Sequence, residues 1–260
     1  VKLPFVITLT HCSNRIPGPV RSTMALSDLE ILESTDIGTR ELFGQIPARD
    51  VLCAQWNRLL VDLNRAPHER GPKGLVALVD YEGRTVYRPG GNPGPGEILR
   101  RIQEIHRPYH DRVRRAVSDA KIRALFDCHS LNPLGPKEAP DPGRRRKDVV
   151  LGNNGDREGN ETEARGRITC PVQTLHLIRD AFEKTGFSVS LNDPYAGGFI
   201  TTCYGPEMVR RGQVAVQIEI NQGLYLPSSG IRPEPARLRD VRSRVLGAFH
   251  EIARRLEERA

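Results

Sequence analysis

Residues 123–130 read Arg123-Ala124-Leu125-Phe126-Asp127-Cys128-His129-Ser130. The apolar core of this stretch is too short for a helix and apolar at consecutive positions, which is the mark of a strand buried on both faces of a sheet. It ends on three residues that carry chemistry. Phe5-Val6-Ile7-Thr8-Leu9-Thr10 is built in the same way and ends on His11, and Val214-Ala215-Val216-Gln217-Ile218-Glu219-Ile220 is a third such strand. Phe187 to Leu191 reads as a fourth, and Asp148 to Leu151 as a strand-like island.

Helical spacing fills much of the interval between these strands. Short helical spacing runs from Leu26 to Leu32. Arg49 to Leu60 places Val51, Leu52, Trp56, Leu59 and Leu60 on one broad face and predicts an amphipathic helix. Glu97 to Ala120 predicts a longer one, kinked or broken at Pro108. Pro171 to Thr185 and Pro235 to the end complete the set. Leu60-Val61-Asp62-Leu63 leads into Asn64-Arg65, which is expected at a strand end. Tyr195-Ala196-Gly197-Gly198 and Tyr204-Gly205 read as glycine loops in which Gly198 allows close approach to a ligand or forms a turn. Strands alternating with helices predict an α/β fold, one domain over 1–260, with a mixed, mostly parallel central sheet flanked by helices. Residues from about 131 to 168 form a long irregular stretch rich in Pro, Gly and charge, expected to be mobile or part of a site.

Composition narrows the function. The 260 residues are 38% hydrophobic and 27% charged, with a net charge of +7, and no apolar run approaches the roughly 20 residues of a membrane helix. The one dense basic run, Arg144-Arg145-Arg146-Lys147, has few aromatics near it and lacks the stacking platform of a single-strand binder. It is expected in a mobile, solvated loop. The five cysteines are odd in number and show no C-x-x-C pair, which argues against a zinc ribbon or a disulfide scaffold. With no leader segment evident, a cytoplasmic setting is expected.

In parallel sheets ligands gather beyond the carboxyl ends of the strands, where His11, His129 and Glu219 all fall. Two histidines from separate strands suit a zinc site, which needs a third ligand and an open position; Glu30, Glu33 and Asp36 are the acids near His11. The alternative is that each histidine is satisfied in the core by a backbone carbonyl. A Cys–His dyad of adjacent residues is excluded because strand neighbours point to opposite faces, which leaves a cross pair such as Cys12 with His129 as the rival. Glutamate in so apolar a strand is costly unless it faces a polar cavity, so Glu219 is a candidate general base. Arg65 offers a fork for a carboxylate, or else a surface ion pair. Asp127 is a candidate partner for His129.

These blocks resemble the N-formylglutamate amidohydrolase family, which is related in fold to zinc carboxypeptidases. The resemblance is carried by His11-Cys12-Ser13-Asn14-Arg15, Thr35-Asp36-Ile37-Gly38-Thr39, Leu60-Val61-Asp62-Leu63-Asn64-Arg65, Tyr109-His110, Asp127-Cys128-His129-Ser130, Asn192 to Thr201, and Gln217 to Tyr225. It implies one zinc ion held by His11, Asp36 and His129, with Glu33 as the second choice for the acid. It implies Glu219 as the catalytic glutamate, Asn64 and Arg65 as the grip on a substrate carboxylate, and a small N-acyl amino acid, N-formyl-L-glutamate, as substrate. Tyr204 and Gly198 are expected beside that substrate. Cys12 and Ser13 stand where the family carries smaller pairs, so the pocket beside His11 is expected to differ. A non-catalytic binding protein, using the same pocket or a basic face for nucleic acid, is the alternative.

Overall fold

The computed structural model describes residues 2–228 and 230–258. Six strands form one sheet: β1 (Leu3–Leu9), β2 (Ala48–Cys53), β3 (Ala124–Leu131), β4 (Val149–Gly152), β5 (Val189–Leu191) and β6 (Val214–Asn221). Their spatial order is β2-β1-β3-β6-β4-β5. β2, β1, β3 and β6 are parallel, β4 is antiparallel to β6, and β5 follows β4 in parallel. The helices are α1 (Gly18–Arg21), α2 (Asp28–Glu33), α3 (Thr39–Phe43), α4 (Pro95–Arg101), α5 (Arg107–Val117), α6 (Val172–Lys184), α7 (Phe199–Arg210) and α8 (Pro235–Glu257). The expected run of the last helix to Ala260 extends beyond the described residues. Among those described, no helix is long and apolar enough to cross a membrane.

Alternation along the central strands sorts the two faces. Phe5, Ile7, Leu9, Phe126, Cys128, Val216, Ile218 and Ile220 face a core that α3, α6 and α8 cover with Leu42, Phe43, Phe182 and Phe249. The rings of Phe5 and Phe126 pack edge to face at 5.0 Å, and Phe126 meets Phe249 at 5.1 Å. Each such pair adds about 0.5–1.5 kcal/mol beyond the area it buries. The opposite face starts apolar, with Val6, Leu125 and Ala215 under Tyr109, Val113, Ile200 and Met208 of α5 and α7. Toward the carboxyl ends of the strands it turns polar, with Thr8, Asp127, His129, Gln217 and Glu219 all buried. That change of character on one face makes room for a site.

Three expectations are corrected. Residues from Arg49 are not a helix: Ala48–Cys53 is an edge strand whose register with β1 ends at Leu9 opposite Cys53, and Asn57 to Arg65 is irregular. Pairing with the open edge of β1 outweighs the helical spacing of Val51 and Leu52. Asn64 and Arg65 therefore lie in a loop. Tyr204-Gly205, expected in a glycine loop, lies within α7. Gly205 sits where a Cβ would come within 2.4 Å of Thr169 Cβ, so this glycine reports tight helix packing. The segment 131–168 is fastened to the fold, with Arg146 buried in a two-armed pair with Asp141 (2.6 and 2.9 Å) and Asn221 Nδ2 donating to the carbonyls of Arg146 and Lys147. Arg144 pairs with Asp193. Arg146 is thus spent inside the protein, while Arg144 is paired at its surface.

At Pro108 the helix continues through a π turn, Ile102–His106, in which Arg107 N–H donates to Ile102 O. The wider turn lets the chain pass the proline without a break.

Candidate metal centre

β1 delivers His11 and β3 delivers His129, their ring centroids 4.7 Å apart. Asp36 comes from the turn between α2 and α3. Its N–H donates to His11 O at 3.0 Å. Gly38, at φ 86°, lets the turn press against Tyr225, whose hydroxyl donates to Ile37 O at 2.6 Å. His11, Asp36 and His129 each offer a donor atom within 4.8 Å of the other two, and all three are buried.

The donor set suits a divalent ion. Asp62 accepts from His11 Nε2 at 2.8 Å, which leaves a lone pair on His11 Nδ1. That atom is buried with no hydrogen-bond partner among the described residues and lies 3.5 Å from Asp36 Oδ2. His129 Nδ1 lies 2.8 Å from the same oxygen, while His129 Nε2 lies 2.9 Å from Asp127 Oδ2. Thr8 Oγ1 in turn donates to Asp127 Oδ1 at 2.8 Å. A carboxylate behind each imidazole, fixing its tautomer and direction, is the usual support of a metal-ligating histidine. An unpartnered buried nitrogen is otherwise costly, and a metal ion would satisfy it.

The ionisation states follow from the neighbours. Burial opposes charge on Asp36 and Asp62, but His11 and His129 pull Asp36 below the usual carboxylate range, and Arg58 and His11 pull Asp62 further. Burial likewise works against the His129 cation, and Asp127 and Asp36 override it, raising its pKa. Glu219 differs. Burial dominates and pushes it up to about 7, and Gln217 Nε2 donates to it at 2.8 Å. Register places it directly beside His129.

Of the acids near His11, Glu33 is turned outward to Arg84 at 2.8 Å, and Glu30 closes the capping box of α2 with Ser27. Cys12 and Ser13 also turn into the scaffold: the Cys12 thiol donates to Leu9 O at 3.3 Å and Ser13 Oγ to Gln55 O at 2.8 Å.

The residues expected to hold substrate are placed as follows. Asn64 has no free end: Nδ2 donates to Asp127 Oδ2 at 2.9 Å and Oδ1 accepts from Ile200 N at 2.8 Å. It braces the metal centre from behind. Gly198 makes a close approach to Asn64, where a Cβ would come within 2.3 Å of Asn64 Nδ2. The Tyr204 hydroxyl is engaged by His110 at 2.9 Å within the α5–α7 core. Among the described residues Arg65 has a single ion pair, to Glu69 at 3.5 Å, and it is about a third exposed (34%).

Sequence reasoning passed over Arg58. Its Nε and Nη2 donate to Asp62 Oδ2 at 3.2 and 2.8 Å. Its Nη1 makes no hydrogen bond among the described residues and lies 3.9 Å from Asp36 Oδ1. The guanidinium packs on the Tyr81 ring at 5.2 Å. One arm of a largely buried cation therefore points at the candidate metal ligands. Nothing in Trp56-Asn57-Arg58-Leu59 marks this arginine from the many others.

The family model described as N-formylglutamate amidohydrolase matches residues 3–226. The chain is 27% identical over 236 residues to an N-formylglutamate deformylase of Pseudomonas putida, an alignment that covers 86% of this chain and 82% of that one. It is 27% identical over 237 residues to an N-formylglutamate deformylase of Pseudomonas aeruginosa, covering 86% and 83%. The fold is similar to the crystal structure of an N-formylglutamate amidohydrolase from Ralstonia eutropha, with a TM-score of 0.76, 22% identity and coverage of 100% of this chain and 96% of that one.

Proposed function

The chain belongs to the N-formylglutamate amidohydrolase family, and from that premise we propose that it hydrolyses N-formyl-L-glutamate to formate and L-glutamate, with zinc at the His11–Asp36–His129 centre. The observation that carries this reading is the unpartnered Nδ1 of His11, converging with Asp36 and His129 beside the buried carboxylate of Glu219. His11, Asp36 and His129 would hold the ion, which would supply Lewis-acid chemistry to the formyl group and to water.

The remaining roles belong to the chain. Glu219 takes a proton from the attacking water and gives it to the departing amine. Burial opposes the charge on this carboxylate, which favours its taking up the proton and passing it on. The free Nη1 of Arg58 donates to the oxygen on which negative charge builds, and its tie to Asp62 keeps the arm aimed before substrate arrives. Arg65, held by one long ion pair, exchanges Glu69 for a substrate carboxylate. Asp62, Asp127 and Asn64 hold the two imidazoles still.

The test is formate release from N-formyl-L-glutamate, set against the N-acetyl and N-succinyl analogues, with metal content measured and a chelator added. Formate release that is lost with the metal and restored by zinc is expected. Protein that takes up no zinc, or that shows no preference for the formyl substrate, would sink the proposal.

A further inference from the structure

We infer that His106 and His110 form a two-pronged clip that sets the Asp62–Arg65 loop and, through it, the aim of both metal-ligating imidazoles. The inference rests on the metal-centre reading above.

Neither histidine touches the site. His106 closes the π turn and His110 follows one turn later on α5. Their rings stack at 4.2 Å, inclined at 29°, and Phe199 packs against both. His106 Nε2 lies 2.9 Å from Arg65 O, and His110 Nε2 lies 2.9 Å from Leu63 O. A carbonyl only accepts, so both Nε2 atoms must carry protons. Burial keeps both rings neutral, pushing His110 down to about 4, with His106 beside it adding to the effect. The Nδ1 of His110 is then an acceptor, and the single proton of the Tyr204 hydroxyl is shared between it at 2.9 Å and His110 O at 3.0 Å.

The two carbonyls held in this way flank Asn64. Asn64 N–H donates to Asp62 Oδ1 at 2.8 Å, the same oxygen that receives His11 Nε2. The Asn64 amide holds Asp127, which stands behind His129. The loop therefore carries the support of both imidazoles, yet it has no strand or helix of its own. An irregular loop fixes such groups only if its backbone is tied elsewhere, and the histidine pair provides two of those ties. The π turn has a use here, because it lets α5 carry His110 and Pro108 onward while His106 stays stacked on its neighbour. Turns of this kind are frequent near functional sites.

Phenylalanine at either position keeps a stacked ring and removes the donor, so His106→Phe and His110→Phe separate positioning from packing. Zinc affinity is measured by competition with a chromophoric chelator, alongside the melting temperature of each metal-free protein. A dissociation constant larger by about tenfold is expected in each variant, the low end of the range for groups that orient metal ligands. Unchanged affinity in the variants, with wild type binding zinc, overturns the clip. So does a lower melting temperature with unchanged affinity, which is what a merely structural role produces. Wild type that binds no zinc overturns the metal-centre reading, and the clip with it. If a variant does not fold, the wild-type protein still decides by NMR: the Nε2–H resonances of His106 and His110 are expected to shift as zinc is added to metal-free protein. Resonances that stay in place through stoichiometric zinc uptake overturn the inference.

Discussion

His129 and Glu219 are direct partners in the parallel register of β3 and β6, so two neighbouring strands hold the imidazole and the carboxylate side by side. No loop intervenes, and their separation is set by the spacing of the sheet. The proposed proton carrier and a candidate metal ligand are thereby fixed relative to one another by backbone hydrogen bonds.

Glu219→Gln keeps the size of the side chain and removes the base. Turnover measured by formate release is expected to fall by roughly 10²–10⁴-fold, with zinc content equal to wild type. Loss of the metal along with activity would instead make Glu219 part of the metal centre.

Asp127→Asn leaves the strand intact and withdraws the charge behind His129. Its expected effect is a zinc dissociation constant weaker by about 10–100-fold, read by chelator competition, with a smaller change in turnover at saturating zinc.

Arg65→Ala removes a partly exposed cation and is expected to raise KM for N-formyl-L-glutamate at least about tenfold with little change in kcat, as for a group that binds ground state and transition state alike. Arg58→Lys, which loses the planar fork, is expected to lower kcat instead. Steady-state kinetics on the two variants separates the roles, and an unchanged KM in the first would move carboxylate binding away from Arg65.

His110 makes stability depend on pH with a definite sign. Its folded pKa is depressed to about 4, by burial first and then by His106, against an unfolded value of about 6.5. Below about pH 6.5 the unfolded chain takes up a proton that the folded protein refuses. Stability is therefore full above that pH and declines toward pH 4, by about 3 kcal/mol from this group. Urea unfolding of wild type and His110→Phe between pH 4 and 7 should show the variant with the shallower slope.

Gly198→Ala tests the close approach to Asn64. The backbone at Gly198 (φ −104°) is open to any residue, so the penalty comes only from the 2.3 Å contact a Cβ would make. A loss of about 1–3 kcal/mol is expected in chemical denaturation, together with weaker zinc binding as Asn64 is displaced.

The ends of β1, β3 and β6 were legible in the sequence, because an uninterrupted apolar run that stops on His11 or His129, or one that carries Glu219, rarely arises except where a buried strand meets a polar site. Asp36 could be placed only through the family resemblance, since nothing in Glu30, Glu33 and Asp36 themselves ranks them; the fold does so by spending the two glutamates on Ser27 and Arg84. Asn64 stood out in the right block but for a different reason, because a buried amide between Asp127 and Ile200 looks, in one dimension, like a ligand contact. Arg58 and Asp62 went unmarked because their meaning lies in a bridge between two acids that only the folded loop creates. α7 was hidden by Gly205 and Pro206, which break helices on average but here allow one to lie close to Thr169.

The order of strands in the sheet has a consequence for how this protein is made. A nascent chain that has emerged as far as Ser130 already contains His11, Asp36, Asp62, Asp127 and His129. At that stage β3 lacks its other neighbour, and its outer edge presents unpaired backbone groups until β6 arrives from the far end of the chain. Long-range parallel pairing of this sort is slow to form. The pocket that sets His129 beside Glu219 is therefore completed only when β6 docks on β3, long after the candidate ligands themselves have been made.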